Sequence, residues 1–253
     1  MNIALITGAS SGIGKEFALQ MDHHFKSIDE FWLVARRKEQ LQELADSLQH
    51  KCRILPMDIT DETQLDKLQD TLERNNACIR ILVNCAGFGI MGPFFSQEQK
   101  EVTSMVRLNC EALTAVTHIC IPYMKYGSRI IQLASSAAFL PQTNFAVYAA
   151  SKSYVFSLSR ALTQELKPLG IYVTTVCPGP VDTPFFDIAE KYDTTMTIKK
   201  LTLVEAKDVV ALALRDSYHK KEVSVCSTMI KLFRIAAKTI PHSIILPTMK
   251  FMK

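Results

Sequence analysis

Short apolar runs alternate with longer amphipathic stretches along most of the chain. The runs "IALIT" (3–7), "FWLVA" (31–35), "CRILP" (52–56), "IRILVN" (79–84), "RIIQLAS" (129–135) and "YVTTVCP" (172–178) are rich in Ile, Leu and Val. Being apolar at successive positions, they fit strands buried on both faces. Residues 12–24, 37–49, 61–75, 97–124 and 146–167 read as helices. The clearest is "DETQLDKLQDTLE" (61–73), where Leu65, Leu68 and Leu72 recur at helical spacing behind an Asp/Thr-rich start suited to capping. Repeated β–α alternation predicts an α/β fold, a doubly wound (Rossmann-type) parallel sheet with helices on both faces and right-handed crossovers. Without a Gly/Ser-rich linker or an internal repeat, residues 1–253 are expected to form one domain. Ligands of such sheets bind beyond the carboxyl ends of the strands.

Composition adds modest limits. Hydrophobic content of 48% and charged content of 21% are those of a globular protein. A net charge of +4, without an Arg/Lys-rich block, argues against nucleic acid as a partner. The 7 cysteines include no CxxC pair and lie mostly in apolar runs, which suggests buried reduced thiols and a cytoplasmic setting. Neither HxxxH nor a Cys/His cluster offers a metal site, and His23 and His24 suit the end of a surface helix. A first strand beginning at Ile3 leaves no room for a secretory leader, and no apolar stretch reaches the ~20 residues that span a bilayer.

Candidate chemistry gathers at the strand ends. The first strand runs into "TGASSGIG", with Gly8, Gly12 and Gly14 opening a helix. Glycine permits a tight turn and close approach of phosphate to backbone, and a helix N-terminus offers free N–H groups to an anion. In "YAASK", Tyr148 and Lys152 stand four apart on one helical face, either as an acid–base pair or as a helix-start aromatic with a solvated cation. Around them "NCAG" (84–87), "RLNCEA" (107–112), "LASS" (133–136) and "CPGPVDT" (177–183) follow in order.

Together these motifs resemble the short-chain dehydrogenase/reductase family, through its T-G-x-x-x-G-x-G turn, N-N-A-G, catalytic Ser, Tyr and Lys, helical Asn, and P-G-x-x-x-T loop. The resemblance implies that Tyr148 is the acid/base, Lys152 its activator, Ser135 the carbonyl-polarising hydroxyl and Asn109 the anchor of a proton relay. Ser136 competes with Ser135; the family's thirteen-residue spacing to the tyrosine selects Ser135. A free tyrosine titrates near ~10, so Lys152 and an oxidised nicotinamide are expected to pull the Tyr148 pKa down. The cofactor is expected along Gly8, Ser10, Ser11, Gly12, Ile13 and Gly14, then Asp58 and Ile59, then Asn84, Ala86 and Gly87. The motifs further implicate Pro178, Gly179, Val181 and Thr183, together with Tyr148 and Lys152. Asp58 would bond the adenine, cap a helix, or both. Cys85 replaces the second Asn of N-N-A-G and should alter packing more than binding.

The second strand ends "VARRK", placing Ala35 where NAD-preferring sites carry a carboxylate. Arg36, and less directly Arg37, would hold a 2′-phosphate, which points to NADP(H). Phe88 and Met91 on one side and Phe185 and Phe186 on the other either line an apolar pocket or pack a lid expected over residues 184–200. An apolar pocket suits a lipophilic ketone or alcohol, a hydroxysteroid included. The same residues could reduce a 3-oxoacyl thioester, and a non-catalytic NADP(H)-binding sensor or scaffold is the reading from another class.

After Glu222 the charged residues are all basic: Lys231, Arg234, Lys238, Lys250 and Lys253. Ile230, Phe233, Ala237 and Ile240 share one face of an expected amphipathic helix. This tail, residues 229–253, resembles the hydroxysteroid dehydrogenase and long-chain ketoacyl reductase branch and replaces the family's usual final strand. It would cover the domain or a subunit interface, or touch a membrane surface. The family habit is a homodimer or homotetramer built through helices 97–124 and 146–167.

Overall fold

A computed structural model describes residues 1–192 and 203–249. Its sheet has seven parallel strands: β1 (Asn2–Thr7), β2 (Glu30–Ala35), β3 (Lys51–Pro56), β4 (Cys78–Asn84), β5 (Met124–Leu133), β6 (Tyr172–Val176) and a short strand, Val223–Ser224. The order is β3-β2-β1-β4-β5-β6 and then Val223–Ser224, which pairs with Thr175 and Val176. Winding therefore reverses between β1 and β4, which pair from Asn2–Cys78 to Thr7–Asn84.

The strands read as unbroken apolar runs because the pleat sends alternate residues into two different cores. From β1, Ala4 and Ile6 join Phe17, Met21, Leu41 and Leu44 on one face. Ile3 and Leu5 join Leu65, Leu68, Leu72 and Val116 on the other. Helices α1 (Gly12–His24), α2 (Lys38–Ser47) and α3 (Glu62–Arg74) supply these partners, apart from Val116 of a later helix. Asp61 caps α3 by accepting the Thr63 N–H at 2.9 Å, so the capping alternative for Asp58 belongs to Asp61 instead.

Two expectations need correction. Residues 97–124 are not one regular helix: α4 (Gln99–Val106) passes through a π-helical stretch, Arg107–Ala112, into α5 (Leu113–Cys120). Strand β5 then begins at Met124, earlier than expected. The final strand is also present, reduced to Val223–Ser224 and followed by the tail.

Helix α6 (Ala146–Leu166) carries the Tyr148 and Lys152 face. Beyond β6 come β7 (Val181–Asp182), α7 (Phe185–Ala189), β8 (Val204–Glu205), which pairs with β7, and α8 (Ala206–Tyr218) against α1. The expected lid is described only as far as Tyr192; residues 193–200 lie outside the described residues. In the tail, α9 (Thr228–Thr239) buries Ile230 and Ala237 and sets Phe233 against Phe139, while Ile240 is exposed, so its inner face is shorter than the sequence pattern implies. Helix α10 (His242–Met249) follows. Among the described residues no helix is long and apolar enough to cross a membrane.

Candidate active site

A cavity of about 640 Å³ opens where the winding reverses, at the carboxyl ends of β1 and β4. Its floor is the β1–α1 turn. Gly8 has φ +69°, and a Cβ on Gly14 would stand 2.3 Å from the Gly8 carbonyl oxygen, so the strand and helix meet with no room for a side chain. The first turn of α1 then presents N–H groups that lack intrahelical partners to the cavity. Gly8, Ser10, Ser11, Gly12, Ile13 and Gly14 all line it.

At the end of β2, Arg36 and Arg37 both line the cavity, and the guanidinium of Arg37 donates to the Ser10 and Ser11 hydroxyls at 2.9 and 2.8 Å. Arg37 thus reaches the glycine turn, and Arg36 lines the cavity beside it. Arg37 ties the turn to β2 and leaves a cation beside it, with Ala35 adding no carboxylate. Asp58 and Ile59 line the next stretch, where Asp58 accepts from the Thr60 N–H at 3.0 Å and its hydroxyl at 2.7 Å.

Ala86 and Gly87 line the cavity beside Cys85, whose thiol burial pushes up to about 12. A Cβ on Gly87 would lie 2.9 Å from Asn109 Oδ1 and 3.4 Å from Lys152 Nζ, so the missing side chain is the space where these two groups converge. Asn84, expected on the wall, is turned away from it. Its amide donates to the Thr117 hydroxyl at 2.9 Å, and its carbonyl oxygen accepts from Thr7 at 3.5 Å, which ties α5 to the sheet.

The π-helical turn sets Asn109. Wholly buried, its Nδ2 donates to the Phe88 carbonyl at 2.8 Å and the Ser151 hydroxyl at 3.0 Å, while Oδ1 accepts the Phe88 N–H at 3.1 Å. One extra residue in a helix turn rotates a side chain off the regular face, and π-turns concentrate at functional sites for that reason.

Ser135 ends the segment after β5, and its hydroxyl lies near enough to the phenol of Tyr148 to favour the phenolate. Ser135 Oγ also accepts the Ala137 N–H at 3.2 Å. Ser136 lines the cavity as well, but it is the Ser135 hydroxyl that favours the Tyr148 phenolate. Burial pushes the Tyr148 pKa up to about 12, opposed by the Ser135 hydroxyl. Burial thus works against the expected lowering, because desolvation disfavours the phenolate. Lys152, 5.6 Å from the Tyr148 ring centre, donates to the Leu133 carbonyl at 2.8 Å. Burial pulls its pKa down to about 8, partly offset by the thiols of Cys85, Cys110 and Cys177.

Aromatic rings wall the remaining side. Phe145 stacks on Tyr148 at 4.2 Å, Phe185 lies 5.4 Å from it, and Phe186 meets Phe185 edge-on at 5.5 Å. Phe88, Phe185 and Phe186 line the cavity as expected residues do, whereas Met91 is buried in the cluster beneath with Ile90 and Met105. The loop's backbone explains that, since Met91 N–H is held by the Ala189 carbonyl at 2.8 Å. Pro178, Gly179, Val181 and Thr183 line the cavity on this side too. Phe145, Gln142, Ile188 and Arg107 also line it and were not anticipated. Phe145 could have been found, because it precedes Tyr148 by three residues at the helix start.

Comparison with known proteins identifies relatives over most of the chain. The profile of the family described as "short chain dehydrogenase" matches residues 2–193. An uncharacterized oxidoreductase of Staphylococcus epidermidis is 30% identical over 222 residues, 86% of this chain and 92% of the relative. A short-chain dehydrogenase from Sphingobium yanoikuyae, solved with NADPH, superposes with a TM-score of 0.81 at 28% identity, covering 97% of this chain and 95% of that one. A bulky-bulky ketone specific alcohol dehydrogenase from Comamonas testosteroni gives 0.70 at 27% identity, covering 89% and 86%. With the family profile spanning most of the sheet and the whole catalytic segment, the chain belongs to the short-chain dehydrogenase family and is an oxidoreductase.

Proposed function

We propose that this enzyme interconverts a lipophilic ketone and its secondary alcohol with NADP(H). The observation that carries the reading is the buried Tyr148 phenol, which shares an aromatic-walled cavity with Ser135 and with Lys152, 5.6 Å from its ring centre. When bound, the reduced nicotinamide supplies a hydride to the carbonyl carbon. Ser135 donates a hydrogen bond to the oxygen as negative charge grows on it. Tyr148, a neutral phenol with its pKa near 12, delivers the proton that completes the alcohol. Lys152 then returns a proton toward the phenolate, and its pKa of about 8 suits it to exchange that proton near neutrality. Asn109 positions rather than reacts, holding the Phe88 backbone and Ser151 in place.

The residues present fit a phosphorylated dinucleotide. The glycine turn with Ser10, Ser11 and Ile13 would receive the pyrophosphate, and Arg37 with Arg36 the 2′-phosphate. Asp58 and Ile59 would flank the adenine, Ala86 and Gly87 the adjoining ribose, and Pro178, Gly179, Val181 and Thr183 the nicotinamide. A guanidinium–phosphate contact of about 1.5–3 kcal/mol corresponds to roughly ten- to hundredfold preference over NADH. The NADPH-bound Sphingobium relative and the ketone-specific Comamonas relative support both halves of the reading.

Exposed Val106 and Tyr154 on α4 and α6 favour a homodimer or homotetramer through those helices. Exposed Met229, Leu232 and Ile235 beside Lys231 and Lys238 favour contact of the tail with an apolar surface, lipid or subunit. The buried thiols Cys78, Cys120 and Cys177 suit the cytoplasm. The test is NADPH and NADH oxidation against ketosteroids, aliphatic and aromatic ketones and a 3-oxoacyl thioester. Turnover of a lipophilic ketone with NADPH favoured is expected. Preference for the thioester would move the substrate class, and nucleotide binding without turnover of any member would favour a sensor.

A further inference from the structure

The segment that joins the two catalytic residues is also the bed of the C-terminal tail. From Ser135 the chain makes a 3-10 turn, Ser136–Phe139, then runs through residues 140–145 to Tyr148. Helix α9 rests on that turn: Phe233 lies 6.5 Å from Phe139, and the Arg234 guanidinium stands 5.7 Å over Phe139 and 5.8 Å over Phe156. Helix α10 comes down beside the next residues and leaves a groove of about 470 Å³, bounded by Pro141, Gln142 and Thr143 below and by Ser243, Leu246 and Pro247 above.

Gln142 lines both this groove and the catalytic cavity, so the two spaces share a wall residue. Among the described residues none that bounds the groove carries a charge. Two of the six are prolines, which have no N–H to leave unsatisfied, and Leu246 adds an apolar side chain. In the cavity, Phe145 follows closely on Gln142, its N–H donating to the Gln142 carbonyl at 3.3 Å, and Phe185, Phe186 and Ile188 add apolar lining. A ligand leaving the aromatic cavity past Gln142 therefore meets an uncharged trough.

We propose that this groove binds the distal hydrocarbon of the substrate, and that the enzyme favours ketones bearing a long unbranched alkyl chain. This rests on the ketone-reduction reading and goes further by assigning a second subsite, roofed by α10. Hydrocarbon transferred from water to such walls gains affinity with each methylene, and none of the described residues there repays a charged end.

The experiment is NADPH oxidation with the methyl ketones from butan-2-one to tetradecan-2-one, using the full chain, Thr143→Trp and Leu246→Glu. Thr143 is exposed and Leu246 half-buried, so neither change disturbs the core. For the unmodified enzyme, kcat/KM is expected to stay level for the shortest ketones. It should then climb about two- to fourfold per methylene once the chain passes Gln142. Both variants should lose that climb, through KM, while butan-2-one turnover stays within about twofold of the parent, as for surface changes that leave the chemistry alone. A level series in the parent, or variants that keep the climb, would overturn the subsite and leave ketone reduction standing. If no ketone of any length turns over, the reduction reading fails instead. The subsite is then decided by calorimetric binding of dodecan-1-ol and butan-1-ol to the enzyme. Tighter dodecanol binding, lost in Thr143→Trp, supports the groove; equal binding in parent and variant overturns it.

Discussion

The two ends of the cavity are built on different principles. On the dinucleotide side, backbone carries the shape: Gly8 and Gly14 touch, α1 points its N-terminus inward, and Arg37 is pinned to Ser10 and Ser11. On the substrate side, side chains carry it: Phe145, Phe185 and Phe186 are stacked and tilted against Tyr148, with a half-wet tail beyond them. Backbone-built sites tolerate almost no substitution, because a single Cβ collides with main chain. Side-chain walls can be repacked, so within one fold the substrate can change while the hydride chemistry stays.

Five substitutions would break or sharpen that contrast. Lys152→Met should have the largest effect, lowering kcat by about 10²–10⁴ in steady-state assays. It should not weaken the fold. Lys152 has its folded pKa pulled down from 10.5 to about 8, so below pH 8 the native state bears the cost of a buried charge. Between about pH 8 and 10.5 the unfolded chain holds the extra proton, and parent stability rises with pH. The variant should therefore unfold at equal or higher denaturant near pH 7, by up to about 3 kcal/mol, and this advantage should fade toward pH 10.5. Denaturant curves at several pH values check the sign.

Arg37→Ala comes next: the NADPH-over-NADH ratio of kcat/KM should fall roughly ten- to hundredfold, and Arg36→Ala should move it less. Gly14→Ala, whose Cβ would sit 2.3 Å from the Gly8 carbonyl oxygen, should cost about 1–3 kcal/mol of stability and weaken nucleotide binding. Calorimetric melting would show it. At the other end of the molecule Leu232→Ser, at a residue 63% exposed, should stay within about 0.5 kcal/mol of the parent. A larger loss in dilute monomer would mean that α9 is part of the core.

The dinucleotide half was the more legible in sequence for the same reason that it is rigid. Glycine spacing is written residue by residue, and two-faced burial leaves unbroken apolar strands such as "IALIT". What escaped was set by contacts distant in sequence. Nothing in "RLNCEA" announces the extra residue of the π-turn that aims Asn109, because that turn is fixed by bonds to Phe88 and Ser151. Asn84 turns toward Thr117 and Met91 sinks beneath the wall for similar reasons. The Tyr148 pKa depends on burial, which no local spacing reveals.

The most direct measurement is a paired one on Tyr148→Phe: NADPH affinity by fluorescence titration, and ketone reduction in a single turnover. With Tyr148 as the proton donor, nucleotide affinity should stay within about threefold while reduction slows by about 10²–10⁴. Reduction at close to the parent rate, with NADPH still bound, would contradict the account and move the proton donor elsewhere in the cavity.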